Sequence, residues 1–295
     1  MNRIACLAAL LGALLLPVAA HATIRVAAST TDIASIANSV GGDQVEVFSI
    51  SKPNADPHRV EALPSSMVKV ARAQVFLEVG LQLDQWADAI IDGSRNGRLL
   101  KVDCSKGVAV LEKPAHVDAS MGDVHPNGNP HYWLDPRNGA IVADNIAEAF
   151  ARVDPAHAAD YRTRADAFGK ECAAAYARGR AVADALPSKA IFTYHRSWPY
   201  FASAFGLDVV DTVEPVPGIP PTAKHLADLV QTAKSRKVGL LLEEPYFSAD
   251  AGRFLGRQAG VRAVTASSAC DGEAAGSYLA HFDAVLRLLA GGPAK

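Results

Sequence analysis

The chain has 295 residues, 20% of them charged, with a formal net charge of -2 at pH 7. That near-neutral balance gives no electrostatic footprint for nucleic acid or an anionic membrane surface. The length is enough for one large domain or two lobes with separate cores.

The first segment, MNRIACLAALLGALLLPVAAHA, reads as a cleavable secretory signal peptide over residues 1–22. Arg3 supplies the positive start, Ile4 to Leu16 the apolar run, and Ala20-His21-Ala22 the small-x-small cleavage site. The apolar run is shorter than the roughly 20 residues a spanning helix needs, and no later segment is long and apolar enough to span a bilayer. The mature protein is therefore expected in the periplasm. It keeps Cys104, Cys172 and Cys270, an odd set that permits one disulfide at most in an oxidising compartment. There is no CxxC, hence no redox or zinc-ribbon motif.

Short β-branched and apolar runs then alternate with helical patterns. TIRVAAS, VEVFSI, AQVFLEV and LLKVD predict strands between residues 23 and 103. TDIASIANSVGG and SSMVKVARA between them carry helical spacing, the first closed by a Gly-Gly stop. AIFTYH, DVVDTVE, VGLLLEEP and VRAVTASSA repeat the pattern later, separated by helical stretches such as TAKHLADLVQTAKSRK. This alternation predicts an α/β fold with parallel β-sheets flanked by helices. Residues 155–186 break the rhythm with a run that has no internal proline. Asp154 before Pro155 is a start signal and Pro187 a stop, which predicts one long connecting helix of roughly 45 Å at about 1.5 Å per residue. It divides the chain into an N-terminal α/β lobe (23–154) and a C-terminal α/β lobe (187–295). The competing reading is two shorter helices broken near Gly169 or Gly179.

Three histidines stand where strands end. His58 follows VEVFSI through the proline-stiffened turn SKPNADPH. His131 lies in GNPHYWLDP, ahead of a helix that Asp135 and Pro136 would open. His195 ends AIFTYH. In open parallel sheets the loops at the carboxyl ends of strands form the ligand crevice, and imidazole suits zinc and other borderline metals. Separations of 73 and 64 residues are not a motif by themselves, however, and a lone histidine is more often a capping or surface residue than a ligand.

The order of segments nevertheless resembles a known family. NADPHRVEALPSSM (54–67), GLQLDQWADAII (80–91), NPHYWLDP (129–136), TYHRSWPYFASAFGL (193–207), VEPVPGIPPT (213–222), LLLEEPYFS (240–248) and GSYLAHFDAVL (276–286) are similar, in order, to the periplasmic metal-binding solute receptors of ABC importers. That family, ZnuA/TroA-like or cluster A-I, includes zinc receptors and manganese receptors. The resemblance implies two α/β lobes joined by one long rigid helix, and it implies that His58, His131 and His195 are metal ligands. Manganese-binding relatives tend to carry a glutamate where this chain has His195, so the resemblance implies the zinc branch. Three imidazoles tilt the same way, since manganese prefers oxygen donors.

The chain departs from the family at the fourth ligand. Many relatives place an aspartate at the end of the last core strand, which here reads VRAVTASSACD. Asp271 is the natural candidate, with water, Cys270 and Glu244 as the others. Glu243 and Glu244, at the end of GLLLEEP, are candidate acceptors for a ligand imidazole or simply a helix start on the lobe surface. Trp133 and Trp198 flank ligands in sequence and either wall the site against water or pack the core. The loop HVDASMGDVHPNGN (116–129) brings His116, Asp118, Asp123 and His125 just before His131. It reads as an auxiliary metal-gathering loop or as a solvated loop at the cleft mouth. His157, His225 and His281 fall on predicted helices and read as surface or packing residues.

The function these readings imply is high-affinity binding of Zn2+ as a transported ligand. The ion would pass to the permease and ATPase of an inner-membrane ABC importer, from a monomeric receptor. A periplasmic zinc chaperone is a further partner that the resemblance admits. The alternatives are a manganese or iron receptor of the same family and a three-histidine zinc hydrolase. The hydrolase needs an open coordination position for water, and the chain holds no HExxH motif.

Overall fold

The computed structural model describes residues 23–118 and 121–292; the expected signal peptide lies outside them. Among the described residues, eight strands form two four-stranded sheets. The first contains β1 (Ile24–Ala28), β2 (Val45–Ser49), β3 (Val75–Glu78) and β4 (Leu100–Asp103), in the order β2-β1-β3-β4. The second contains β5 (Ala190–Thr193), β6 (Asp208–Thr212), β7 (Leu240–Glu243) and β8 (Arg262–Thr265), in the order β6-β5-β7-β8. All pairings are parallel. Each of the eight predicted apolar runs therefore contains an observed strand. Val75, Phe76 and Leu77 in β3 and all four residues of β7 are buried, as expected where helices cover both faces of a parallel sheet.

The helices are α1 (Thr31–Gly41), α2 (Pro64–Val70), α3 (Ala87–Ser94), α4 (Pro136–Val153), α5 (Ala158–Asp184), α6 (Pro199–Phe205), α7 (Ala223–Arg236), α8 (Asp250–Ala259) and α9 (Ser277–Leu289). Local chemistry accounts for several boundaries. Asp135 accepts a hydrogen bond from the Arg137 backbone N–H with Pro136 at the first helical position, which starts α4 as the sequence predicts. Thr222 caps α7 in the same way through the His225 N–H. The long helix α5 begins after a single 3-10 turn, Pro155–His157, and runs unbroken through Gly169 and Gly179 for 27 residues, about 40 Å. Its buried residues Tyr161, Ala165, Phe168, Cys172, Ala175, Gly179 and Ala183 recur every three or four positions, one stripe along the helix.

That stripe joins the two lobes. One apolar cluster runs from Val26 and Leu77 in the first sheet through Ile146 and Phe168 to Ile191, Leu242 and Phe282 on the other side. The carboxyl ends of both sheets consequently open toward one cleft between the lobes. Cys104, Cys172 and Cys270 are each buried and free, with no disulfide among the described residues.

Candidate metal centre

His58, His131 and His195 meet in that cleft. Each offers one ring nitrogen, and the three donor atoms lie within 4.8 Å of one another. Their ring centres are 5.1 Å apart for His58 and His131, 5.4 Å for His58 and His195, and 5.7 Å for His131 and His195. Residues more than sixty positions apart converge here: His58 lies in the turn after β2, His131 shortly before α4, and His195 two residues beyond β5.

Two of the three rings are held by the same local device. In Asp56-Pro57-His58, the Asp56 carboxylate accepts from both the His58 backbone N–H (2.9 Å) and ring Nδ1 (3.0 Å). In Asn129-Pro130-His131, Asn129 Oδ1 accepts from the His131 N–H and Nδ1, both at 3.0 Å. A carboxylate or amide oxygen only accepts, so each ring must carry its proton on Nδ1, and the Nε2 lone pair is left to face the cleft. Outer contacts secure both turns. Trp86 Nε1 donates to the Pro57 carbonyl (2.9 Å), and the Tyr200 hydroxyl donates to the Asn129 carbonyl (2.9 Å).

His195 is held differently. Its Nδ1 donates to Glu214 Oε2 at 2.6 Å. Glu214 stands just beyond β6, which pairs with β5, and its backbone N–H donates to the Tyr194 carbonyl (3.0 Å). The acceptor expected at Glu243 or Glu244 on β7 is therefore found on the opposite neighbouring strand. Glu244 instead accepts from Trp198 Nε1 at 3.1 Å, and burial pushes its carboxyl up to about 7. Glu243 lies 3.5 Å from the Thr265 hydroxyl.

Electrostatics separate the imidazoles. Burial, helped by the neighbouring histidines, holds His131 well below the ordinary histidine value, so it is neutral and ready to ligate. For His195, burial lowers the value, but the Glu214 hydrogen bond together with the Glu244, Glu214 and Asp56 charges outweighs it and the net shift is upward. Asp56 is also buried, which raises it, yet its bonds to His58 hold it below the usual carboxylate range.

Asp271 does not join this group. It is exposed, and it lies outside the donor set. The turn after β8 explains why. The Cys270 N–H donates to Asp32 Oδ1 at 3.0 Å and the Cys270 thiol to the Gly272 carbonyl at 3.2 Å. These bonds point Cys270 inward and leave its successor on the outside. Cys270 is no better placed as a ligand, because burial pushes its thiol far above the ordinary cysteine value and the thiolate is the ligating form. Trp133 and Trp198 are both fully packed, and Trp133 also stands against His131 with ring centres 5.2 Å apart. The loop histidines diverge. His116 is exposed beside Asp118, whereas His125 turns in until its ring centre is 5.2 Å from that of His58.

Known proteins share this architecture. The sequence profile of the family described as zinc-uptake complex component A, periplasmic (ZnuA), matches residues 26–292. The iron-binding protein YfeA of Yersinia pestis is 28% identical over 216 residues, covering 71% of this chain and 67% of that protein. The metal ABC transporter substrate-binding lipoprotein ScbA of Streptococcus cristatus is 26% identical over 230 residues, covering 75% and 72%. A crystal structure of ZnuA superposes with a TM-score of 0.80 at 24% identity over 92% of this chain and 99% of that one, a likeness of fold.

Proposed function

This chain belongs to the ZnuA family of metal-binding ABC transporter substrate-binding proteins, and from that premise we propose that it is a periplasmic zinc receptor. It captures Zn2+ at His58, His131 and His195 and delivers it to the permease and ATPase of an ABC importer. Members of the family are substrate-binding receptors and not enzymes, so the ion is cargo. One observation carries the reading: three imidazoles with donor atoms within 4.8 Å of one another, each with its other nitrogen fixed by Asp56, Asn129 or Glu214. Nitrogen donors favour zinc over manganese, which takes oxygen ligands. Iron enters as the competing cargo because the Yersinia pestis relative is named for it. Two carboxylates one hydrogen bond behind the ligands, Asp56 and Glu214, balance the charge of a divalent ion.

The test is equilibrium dialysis with elemental analysis on the purified protein, offered zinc, manganese and iron(II) together. One zinc per chain is expected, and alanine at His58, His131 or His195 should weaken zinc binding at least about 100-fold. Asp271→Ala should bind as the parent does. Retention of zinc by any of the histidine variants removes that residue from the site, and preferential uptake of manganese or iron rejects the zinc assignment.

A further inference from the structure

We infer that His125 supplies the fourth donor, so that the ion is held by four imidazoles and by no carboxylate; this rests on reading His58, His131 and His195 as ligands. Three corners of such a set are in place, with donor atoms within 4.8 Å of one another; the His125 nitrogen lies outside that set, and its ring stands beside one corner. A Zn–N bond of about 2.0–2.1 Å, with about 1.2 Å from nitrogen to ring centre, puts the ring centres of a tetrahedral site about 5.2 Å apart. The His125 ring centre stands 5.2 Å from that of His58, beside the 5.1, 5.4 and 5.7 Å among the other three. His125 also lines one cavity together with His131 and His195.

The polar bookkeeping agrees. Nε2 of His58, His125 and His131 are all buried without a hydrogen-bond partner. Leaving such an atom unsatisfied costs about 1–3 kcal/mol, and a cation that accepts their lone pairs would satisfy them. His125 is prepared for this as the others are. Its remaining ring nitrogen bonds the backbone of Gln82.

Contacts on both sides of the cleft fix the segment that carries it. The Asp123 N–H donates to the Pro217 carbonyl at 3.0 Å, and the Asp123 carboxylate is 3.9 Å from Arg59. Gly122 (φ +66) makes the close approach possible, since a Cβ there would fall 2.3 Å from the Pro217 oxygen. Among the other candidate donors, Asp271 faces the surface and the Cys270 thiol bonds Gly272, while Glu244 bonds Trp198 through Oε1 and keeps Oε2 unpartnered and outside the three-histidine set.

The experiment is zinc titration of the full chain labelled with 15N at histidine, read by NMR of the ring nitrogens and paired with chelator-competition affinities. Four Nε2 resonances should move to the metal-bound range at one equivalent. His125→Ala should lack one of them, keep the other three, and bind zinc about 10- to 100-fold more weakly. His125→Gln, a milder change, should behave alike, and His116→Ala should match the parent. Three shifted resonances in the parent with that of His125 unmoved, or an unchanged affinity in both His125 variants, would overturn the inference and leave the receptor reading standing. No shifted resonance at all would overturn both.

Discussion

Replacing Glu214 with glutamine isolates what a charge behind the proposed ligand His195 contributes. Glutamine can still accept from His195 Nδ1, where Glu214 Oε2 now stands at 2.6 Å, so ring orientation is retained and the negative charge alone is lost. Adding the imidazole width and a metal–nitrogen bond puts that carboxylate about 7 Å from the ion. Between a dication and one negative charge at that distance, an effective dielectric near 20 gives a ceiling of about 5 kcal/mol. Screening by the rest of the site reduces this, and groups in such positions change affinity about 10- to 100-fold. Glu214→Gln should therefore weaken zinc binding by that factor at pH 8. The size of the effect should depend on pH in a definite direction. Burial works against protonation of His195, but the Glu214 hydrogen bond leads the charges that raise its value overall. In the parent, protons consequently compete for this ligand from a higher pH. Removing the charge relieves that competition, so the gap between variant and parent should narrow on going from pH 8 to pH 5.5. Chelator competition at both pH values measures it. Equal affinities at pH 8, or a gap that widens in acid, would refute the reasoning.

Two further outcomes concern stability. Asp32 is wholly buried with Oδ2 unpartnered, and burial lifts its carboxyl from 3.8 to about 7. Its folded value lies above its unfolded one, so the folded state keeps a proton that the unfolded state loses. Stability contributed by this group falls as pH rises from about 4 to about 7 and is flat above, a loss on the order of 4 kcal/mol. Asp32→Asn should therefore gain thermal stability relative to the parent as pH rises through that window; a difference in Tm that is constant from pH 4.5 to pH 8 would contradict it. Gly179 tests the stripe on α5, because a Cβ there would lie 2.3 Å from Phe205 Cε1 and 2.9 Å from Leu286 Cδ1. Gly179→Ala should destabilise by about 1–2 kcal/mol despite its better helix propensity, measured by urea unfolding, with zinc stoichiometry unchanged; a gain in stability would mean the helices pack less tightly there.

The sequence was most legible where physics is local. Apolar runs bounded by turn residues located all eight strands, and Asp135-Pro136 marked the start of α4. The three histidines were assigned to one cleft by the family resemblance, not by their spacing, and the structure brings one ring nitrogen of each within 4.8 Å of the others. The two Asx-Pro-His tripeptides, 56–58 and 129–131, carry a local signal that the sequence reading did not use, since an Asx oxygen reaches the N–H and ring two residues on. What was not legible depends on the third dimension. Glu214 rather than Glu243 reaches His195 because β5 has β6 on one side and β7 on the other, and strand order is not written in spacing. Asp271, proposed from its place after the last strand, is exposed in this structure; the direction of a side chain in an irregular turn is set by hydrogen bonds from elsewhere, here the one the Cys270 N–H donates to Asp32. His125 sat in a loop whose path is fixed by Pro217, ninety-odd residues downstream, a contact no local pattern announces.

The same long-range bonds determine how the site can work. The lobes are joined by more than α5. Thr31 Oγ1 donates to the Cys270 carbonyl (2.8 Å), Ser35 Oγ to the Ala274 carbonyl (2.7 Å), Asn38 Nδ2 to the Glu273 carbonyl (2.7 Å), and Trp133 Nε1 to the Ser268 carbonyl (2.7 Å). The Tyr278 hydroxyl adds a bond to the Trp133 carbonyl (2.7 Å). Each is at least partly buried, and stranding one such group costs about 1–3 kcal/mol, so wide opening would expose several at once and break the apolar cluster that spans both lobes. Large hinge motion is therefore expensive here, and the ligand-bearing turns are themselves held by bonds from Trp86 and Tyr200. A receptor built this way gains its affinity from donors already in position, because little ordering remains to be done when the ion arrives.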